Sequence, residues 1–265
     1  MLQRRTRGLE LSYGKVEREI LAFIRKEVNG ARAAGAVVGL SGGVDSAVVG
    51  ALLVRALGKS KVVGNLMPAS HTPKQDTEDA RELARVWGIR TFEVGIDSIF
   101  EAFEKSLPAL ANGKIARANV KARIRMVINY YIANSLNMLV AGTGDKSEDE
   151  IGFFTKFGDG GVDFLPISHL YKTQVRALGA HLGLPESVVQ KPSSPQLWPG
   201  HMAADEIPVD YDKLDVILSA LFDRKLSPSE AAKEAGVRLK VVRKVLKRHH
   251  ASAHKRAYPP MIGGW

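Results

Sequence analysis

The sequence predicts an α/β fold: a doubly wound parallel sheet with helices on both faces, followed by a helical C-terminal part. Three observations carry this. Short apolar runs alternate with helix-spaced segments through the first 145 residues, the pattern of βαβ units and a covered parallel sheet. The first apolar run meets the next helix through a Gly-Gly turn. Beyond residue 145 this alternation stops, and from about residue 205 the chain reads as helical and basic.

Taken in order, Val16, Ile20, Ile24 and Val28 recur at four-residue spacing and predict a helix over 15–28, closed by Asn29-Gly30. Residues 36–40 (Ala-Val-Val-Gly-Leu) suit a buried strand. A helix rich in Ala, Val and Leu follows over 47–57 and stops at Gly58, and 62–67 read as a second strand. Ala80, Leu83, Ala84 and Trp87 share one face of a helix over 76–87, closed by Gly88. Thr91-Phe-Glu-Val94 is a third strand. A long helix is expected over about 119–137, then a fourth strand over 138–141 that ends in Gly142-Thr143-Gly144-Asp145. Residues 145–169 read as loop, centred on Gly158-Asp159-Gly160-Gly161. A helix over 170–182 and a proline-rich connection over 185–199 lead into the helical, basic final third. No internal repeat is present.

At 265 residues, 45% apolar and 25% charged, the chain has an ordinary globular composition and can bury a core without staples. It reads as one domain over 1–265, with an α/β core at about 15–200 and the basic region at about 205–265. Cysteine is absent, which excludes disulfides, thiolate metal sites and a cysteine nucleophile. The longest apolar run, 48–54, is far too short to span a bilayer. Residues 1–7 carry arginines with no apolar segment behind them, so no signal peptide and a cytoplasmic location are expected. Net charge is +10, and residues 224–256 hold eleven Lys and Arg against two Glu. That skew implies an acidic partner, either a phosphorylated small molecule or nucleic acid.

Ser41-Gly42-Gly43-Val44-Asp45-Ser46 lies where a strand hands over to a helix. Adjacent glycines let backbone N–H groups converge, and the helix N-terminus adds its positive dipole end, which together make an anion cradle. It is not a Walker A loop, because an aspartate stands where that loop needs lysine. An aspartate beside a phosphate requires a divalent cation between them, so Asp45 is a candidate Mg²⁺ ligand. The bland alternative is a tight turn in which Asp45 and Ser46 merely cap the helix. Glu148, in the loop leaving the fourth strand, could supply a second carboxylate at the ligand-binding edge of such a sheet.

The six-residue string resembles the phosphate loop of the N-type ATP pyrophosphatases (the PP-loop enzymes), which split ATP between its α- and β-phosphates and transfer AMP to a substrate oxygen. More of the chain resembles the NAD synthetase family within that group. The resemblance is carried by Gly142-Thr-Gly-Asp-Lys-Ser-Glu148, Gly152-Phe-Phe-Thr-Lys-Phe-Gly-Asp-Gly-Gly-Val-Asp163, Pro166, Leu170-Tyr-Lys-Thr-Gln-Val-Arg176, Leu184-Pro-Glu186, Lys191-Pro-Ser-Ser194, Leu197-Trp198 and His254-Lys-Arg256. It implies a Rossmann-like fold of the adenine nucleotide alpha-hydrolase type. It also implies a ligase that adenylates the nicotinate carboxylate of deamido-NAD with ATP and amidates it with ammonia, releasing AMP.

By the same resemblance, Asp45 and Glu148 hold Mg²⁺. Gly39, Leu40, Ser41, Gly42, Gly43, Val44, Asp45, Ser46, Thr143, Lys172 and Ser194 contact ATP. Arg123, Lys156, Asp163, His254 and Lys255 contact deamido-NAD. Asp45, Lys172 and Asp163 are the catalytic candidates, with Lys172 neutralising a phosphate and Asp163 or a neighbour orienting ammonia. A homodimer with substrate near the subunit boundary is implied. Two departures stand out: His201-Met-Ala-Ala-Asp-Glu206 replaces a Gln-Thr-Asp-Glu-like run, and Asp145-Lys146 replaces a commoner pair. With no cysteine, and no residues to spare for an amidase domain, the expected nitrogen donor is free ammonia unless a separate glutaminase supplies it.

Two other readings stay open. Residues 226–246 scan like a helix-turn-helix, an Ala-Ala helix and glycine turn before a basic helix. The second helix offers few side chains for base edges, so nucleic acid is the weaker partner, and His254-Lys255-Arg256 is expected to serve the dinucleotide site. Another PP-loop enzyme acting on tRNA would leave the 142–176 block unexplained.

Overall fold

The computed structural model describes residues 9–107, 113–194, 198–200 and 202–262. Residues 1–7, Leu197 and His201, used in the sequence reading, lie outside them. Four strands, β1 (Ala36–Gly39), β2 (Val62–Leu66), β3 (Arg90–Glu93) and β4 (Leu139–Ala141), form one parallel sheet in the order β3-β2-β1-β4. Side chains alternate across it. Ala36, Val38, Val62 and Ala141 enter the main hydrophobic cluster, while Val37, Val63 and Val140 enter a second cluster on the opposite face. Both faces are covered, which is why β1 and β2 read as continuous apolar runs.

On the first face lie α1 (Tyr13–Gly30), α2 (Val44–Leu57) and α7 (Lys172–His181). On the other, α5 (Lys114–Ser135) packs on β1 and β4. Successive connections run from β1 to β2 and β3 on one side and return to β4 on the other. That reversal opens a crevice beyond the carboxyl ends of β1 and β4.

Further helices are α3 (Lys74–Trp87), α4 (Asp97–Lys105), α6 (Lys146–Ile151), α8 (Glu186–Val189), α9 (Tyr211–Leu218, continued by a π turn over Ser219–Asp223), α10 (Pro228–Ala235) and α11 (Leu239–Ala251). Three differences from the sequence reading matter for function. Helix α2 begins at Val44, so Asp45 and Ser46 sit in its first turn, where the helix dipole favours an anion. Helix α7 begins at Lys172, two residues later than expected. The supposed loop after Asp145 contains α6, too short and polar to show a periodicity; Asp145 starts it by accepting the Glu148 N–H, and Gly152 ends it at φ +63. Helix α5 also begins five residues earlier than expected, while α4 and α8 bury too few residues to mark a stripe.

The C-terminal helices have a hydrophobic cluster of their own, joining Leu214, Ile217, Ala231, Val242 and Val245 to Ile151 and Tyr171 of the α/β part. Pro228 and a Ser227/Glu230 capping box start α10, and Gly236 at φ +62 turns the chain toward α11, as the helix-turn-helix pattern predicts. Val242 and Val245 hold the inner face of α11, while Lys240, Arg243, Lys244 and Lys247 are exposed.

Ile24 is fully buried in the main cluster between α1 and its neighbours. Ile24→Ala should lower stability by about 2–5 kcal/mol, read as an earlier denaturant midpoint at an unchanged slope.

Candidate active site

A cavity of about 420 Å³ occupies the crevice, walled by the loop after β1, one face of α5, residues 152–162 and the segment around Lys191 to Ser194. The loop is held from within. Ser46 Oγ accepts the Ser41 N–H at 3.2 Å and donates to Gly43 O at 3.0 Å. Gly42 adopts φ +78, and a Cβ there would meet Asp76 O at 2.1 Å, so no other residue fits. Lys191 Nζ donates to Gly42 O at 2.8 Å and to Asp76 at 2.7 Å, and also to Asp79, clamping the loop to α3.

Beside the loop, four charged side chains from three helices and a helix cap meet. Lys172 Nζ lies 2.7 Å from Asp45, 2.8 Å from Asp145 and 2.9 Å from Glu148. Lys172 and Asp145 are wholly shielded from solvent. Burial alone would lower the Lys172 pKa, but Asp145, Asp45 and Glu148 hold it well above the usual lysine value. Burial raises Asp145, with Lys172 opposing and Asp45 adding to the rise. Burial also pushes Glu148 up to about 8; Lys172 opposes this, and Asp145 and Asp45 reinforce it.

One ammonium cannot neutralise three carboxylates. Oxygens of all three acids lie within 4.8 Å of one another, and Asp45 Oδ1 is buried with no hydrogen-bond donor among the described residues. An all-oxygen acidic group with an orphaned buried acceptor fits Mg²⁺. Sequence reasoning had Asp45, Glu148 and Lys172 but treated Asp145 only as a departure from the family pattern. Its position three residues before Glu148, at a helix start, was the available signal.

A second buried carboxylate supports the first group. Asp215 of α9 accepts from Ser147 Oγ and, at 2.8 Å, from the Thr173 N–H, while Ser147 Oγ accepts the Lys172 N–H at 2.9 Å. The sequence reading missed it, since a lone aspartate in a helix carries no local signal.

Of the residues expected to hold ATP, Gly39, Leu40, Ser41, Gly43, Val44, Asp45, Thr143 and Ser194 line the cavity; Ser46 and Lys172 stand just behind it. On the other side, Arg123 donates to Lys156 O at 3.2 Å. Lys156 reaches His254 O, and Lys255 Nζ holds Gly152 O at 2.8 Å and Phe154 O at 2.7 Å. Arg123, Lys156, His254 and Lys255 are thus brought together through backbone carbonyls. Asp163 is not brought to the acidic cluster. Its carboxylate accepts the Val140 N–H at 2.7 Å and the Tyr130 hydroxyl at 3.0 Å, and it is absent from the cavity wall. The glycine-rich turn returns the chain to the edge of β4, where the Asp163 N–H donates to Val140 O.

A profile of the NAD synthase family matches residues 16–259. The NH(3)-dependent NAD(+) synthetase of Hyperthermus butylicus is 50% identical over 253 residues, covering 95% of this chain and 91% of that protein. The enzyme of the same description from Pyrobaculum aerophilum is 46% identical over 94% of this chain and 92% of its own. Among solved structures, an NMN synthetase from Francisella tularensis has a TM-score of 0.85 at 31% identity, covering 96% of this chain and all of that one. An NH3-dependent NAD synthetase from Campylobacter jejuni has a TM-score of 0.81 at 30% identity, with the same coverage.

Burial raises the Asp215 pKa to about 7, against the hydrogen bonds from Ser147 and Thr173. Between about 4 and that value the folded chain keeps a proton that the unfolded chain has released, so this contribution to stability is lost as pH rises. Relative to Asp215→Asn, the metal-free wild type should therefore lose stability from pH 4.5 to 7.5 in denaturant unfolding with chelator. A pH-independent difference between the two would mean that Asp215 titrates normally.

Proposed function

This chain belongs to the NAD synthase family, and from that premise we propose that its cavity performs ammonia-dependent NAD synthesis. The substrates are ATP, deamido-NAD and ammonia. The observation that carries the reading is the cluster of Asp45, Asp145 and Glu148 around Lys172, set at the N-terminus of α2 beside an anion-binding loop.

A carboxylate resists ammonia because its leaving group would be oxide. Attack of the nicotinate oxygen on the α-phosphorus of ATP breaks the bond to pyrophosphate and leaves a mixed anhydride. Ammonia then adds to the carbonyl carbon, the bond to AMP breaks, and a proton leaves the nitrogen as the amide forms. Converging loop N–H groups and the α2 dipole hold the polyphosphate and oppose the charge that builds on it. Lys172 fixes where the three acids sit and favours their ionised forms. Asp45 and Glu148, with Asp145 beside them, would hold Mg²⁺, which when bound supplies charge neutralisation at the phosphates. Most of the remaining work is positioning.

Lys255 keeps the 152–154 carbonyls in place at the dinucleotide side, and Lys156 ties the opposite end of that loop to the C-terminal turn. Arg123, Val127 and Tyr131 form one exposed stripe of α5, and Asp163 bonds Tyr130 beside it. An exposed apolar stripe flanked by substrate-binding residues supports a homodimer with deamido-NAD at the subunit boundary. Among the described residues no helix is long and apolar enough to cross a membrane, in keeping with the cytoplasmic location we propose. The Francisella neighbour favours NMN as a second product; relatives at 45–50% identity favour NAD.

Incubation with ATP, Mg²⁺, deamido-NAD and ammonium should yield NAD, AMP and pyrophosphate, with glutamine unable to replace ammonium and nicotinate mononucleotide a poorer acceptor. ADP and phosphate would sink the reading. Asp45→Asn should cut kcat by about 100- to 1,000-fold at an unchanged unfolding midpoint; full activity would move the metal site elsewhere.

A further inference from the structure

Cationic groups in the cavity wall are mostly spent on the protein. Lys191 is shared among Gly42 O, Asp76 and Asp79, Lys255 between two carbonyls, and Arg248 between Ile151 O and Glu206 O. Arg125 is the exception. It stands on the α5 face that lines the cavity, among Ala118, Ala122, Met126 and Asn129. Arg123, two positions earlier, lies about 200° away around the helix and is exposed. Among the described residues only Nε of Arg125 has a protein acceptor, Met67 O at 3.0 Å. Among the described residues no carboxylate pairs with it within 4.0 Å; Asp159 and Asp97 act only from a distance, while burial pulls its pKa down. The remaining donors of the fork are left to the cavity.

A charge held in a protein wall without a partner costs stability. Its Nε is tied to the end of β2, so the planar fork is already oriented before any ligand arrives. We infer that Arg125 binds an oxyanion of the bound substrates, a phosphate or carboxylate group gripped through two parallel N–H···O bonds. This rests on the functional reading above, which makes the cavity the meeting place of ATP and deamido-NAD. Either nucleotide carries the required chemistry.

The test uses wild type, Arg125→Met and Arg125→Gln, with ATP–Mg²⁺ and deamido-NAD each titrated alone so that no turnover occurs. Calorimetric affinity for one nucleotide should fall about 10- to 100-fold in both variants, with the other changed by less than about threefold; the affected nucleotide identifies the source of the oxyanion. Ligand-free Arg125→Met should melt no lower than wild type, because an unpaired charge has been removed. Wild-type affinity for both nucleotides overturns the inference. So does a matched loss of both affinities with lower ligand-free stability in both variants, which would make Arg125 a strut for β2. Should Arg125→Met fail to fold, Arg125→Gln decides, since it keeps an N–H donor for Met67 O: selective loss supports the inference and wild-type binding overturns it. A wild type that binds ATP but forms no NAD defeats the functional reading and leaves this test standing.

Discussion

Lys172 places a fully buried ammonium within 2.9 Å of three carboxylates, at the first position of α7, where the helix dipole disfavours a cation. Such a group survives in the interior only because carboxylates surround it, since a buried charge left with no partner at all typically costs about 3–5 kcal/mol. The partners come from α2, the cap of α6 and α6 itself, so one ammonium sets the relative placement of three helices. The anion loop is aimed by the same knot, because Asp45 is both a partner of Lys172 and part of the first turn after the loop.

The C-terminal helices join this arrangement through Asp215. By accepting from Ser147 and the Thr173 N–H, it holds the starts of α6 and α7 in register, and the Tyr211 ring lies 5.3 Å from the Lys172 ammonium. The basic segment then divides by face. Arg248, Lys255 and Arg256 turn inward and hold carbonyls of residues 149–154, so their charge shapes the wall of the cavity. The lysines and arginines along the outer side of α11 take no part in that wall.

Periodicity and turn chemistry are local properties, and they made most of the scaffold legible. The four-residue spacing of Val16 to Val28, the glycines closing α2 and α3, and the alternation of apolar runs with helices mark the sheet and its two layers. Short polar helices were not legible. Residues 146–151 contain a single apolar residue, so nothing repeats, and α6 exists because Asp145 caps it and Gly152 releases it. The start of α7 at Lys172 likewise depends on Gln174, whose side chain accepts the Tyr171 N–H.

By itself the sequence determined the fold class and the Gly-Gly turn that places Asp45 at a helix start, because each is written in contiguous residues whose chemistry is local; Glu148 was a candidate from its place at the sheet edge, and Lys172 only from the resemblance to NAD synthetases. Tertiary structure decided what lies between them. Asp45 and Lys172 are 127 positions apart, and Asp215 and Thr173 are 42 apart. No spacing rule reports that these groups touch, nor that Asp145 is wholly buried between them. The same holds for Asp163, whose carboxylate accepts the Val140 N–H at the edge of β4, 23 positions away in sequence. Which charges are answered and which are left facing the cavity is a property of packing, and it is set only when the sheet, α5 and the C-terminal helices close around the same space.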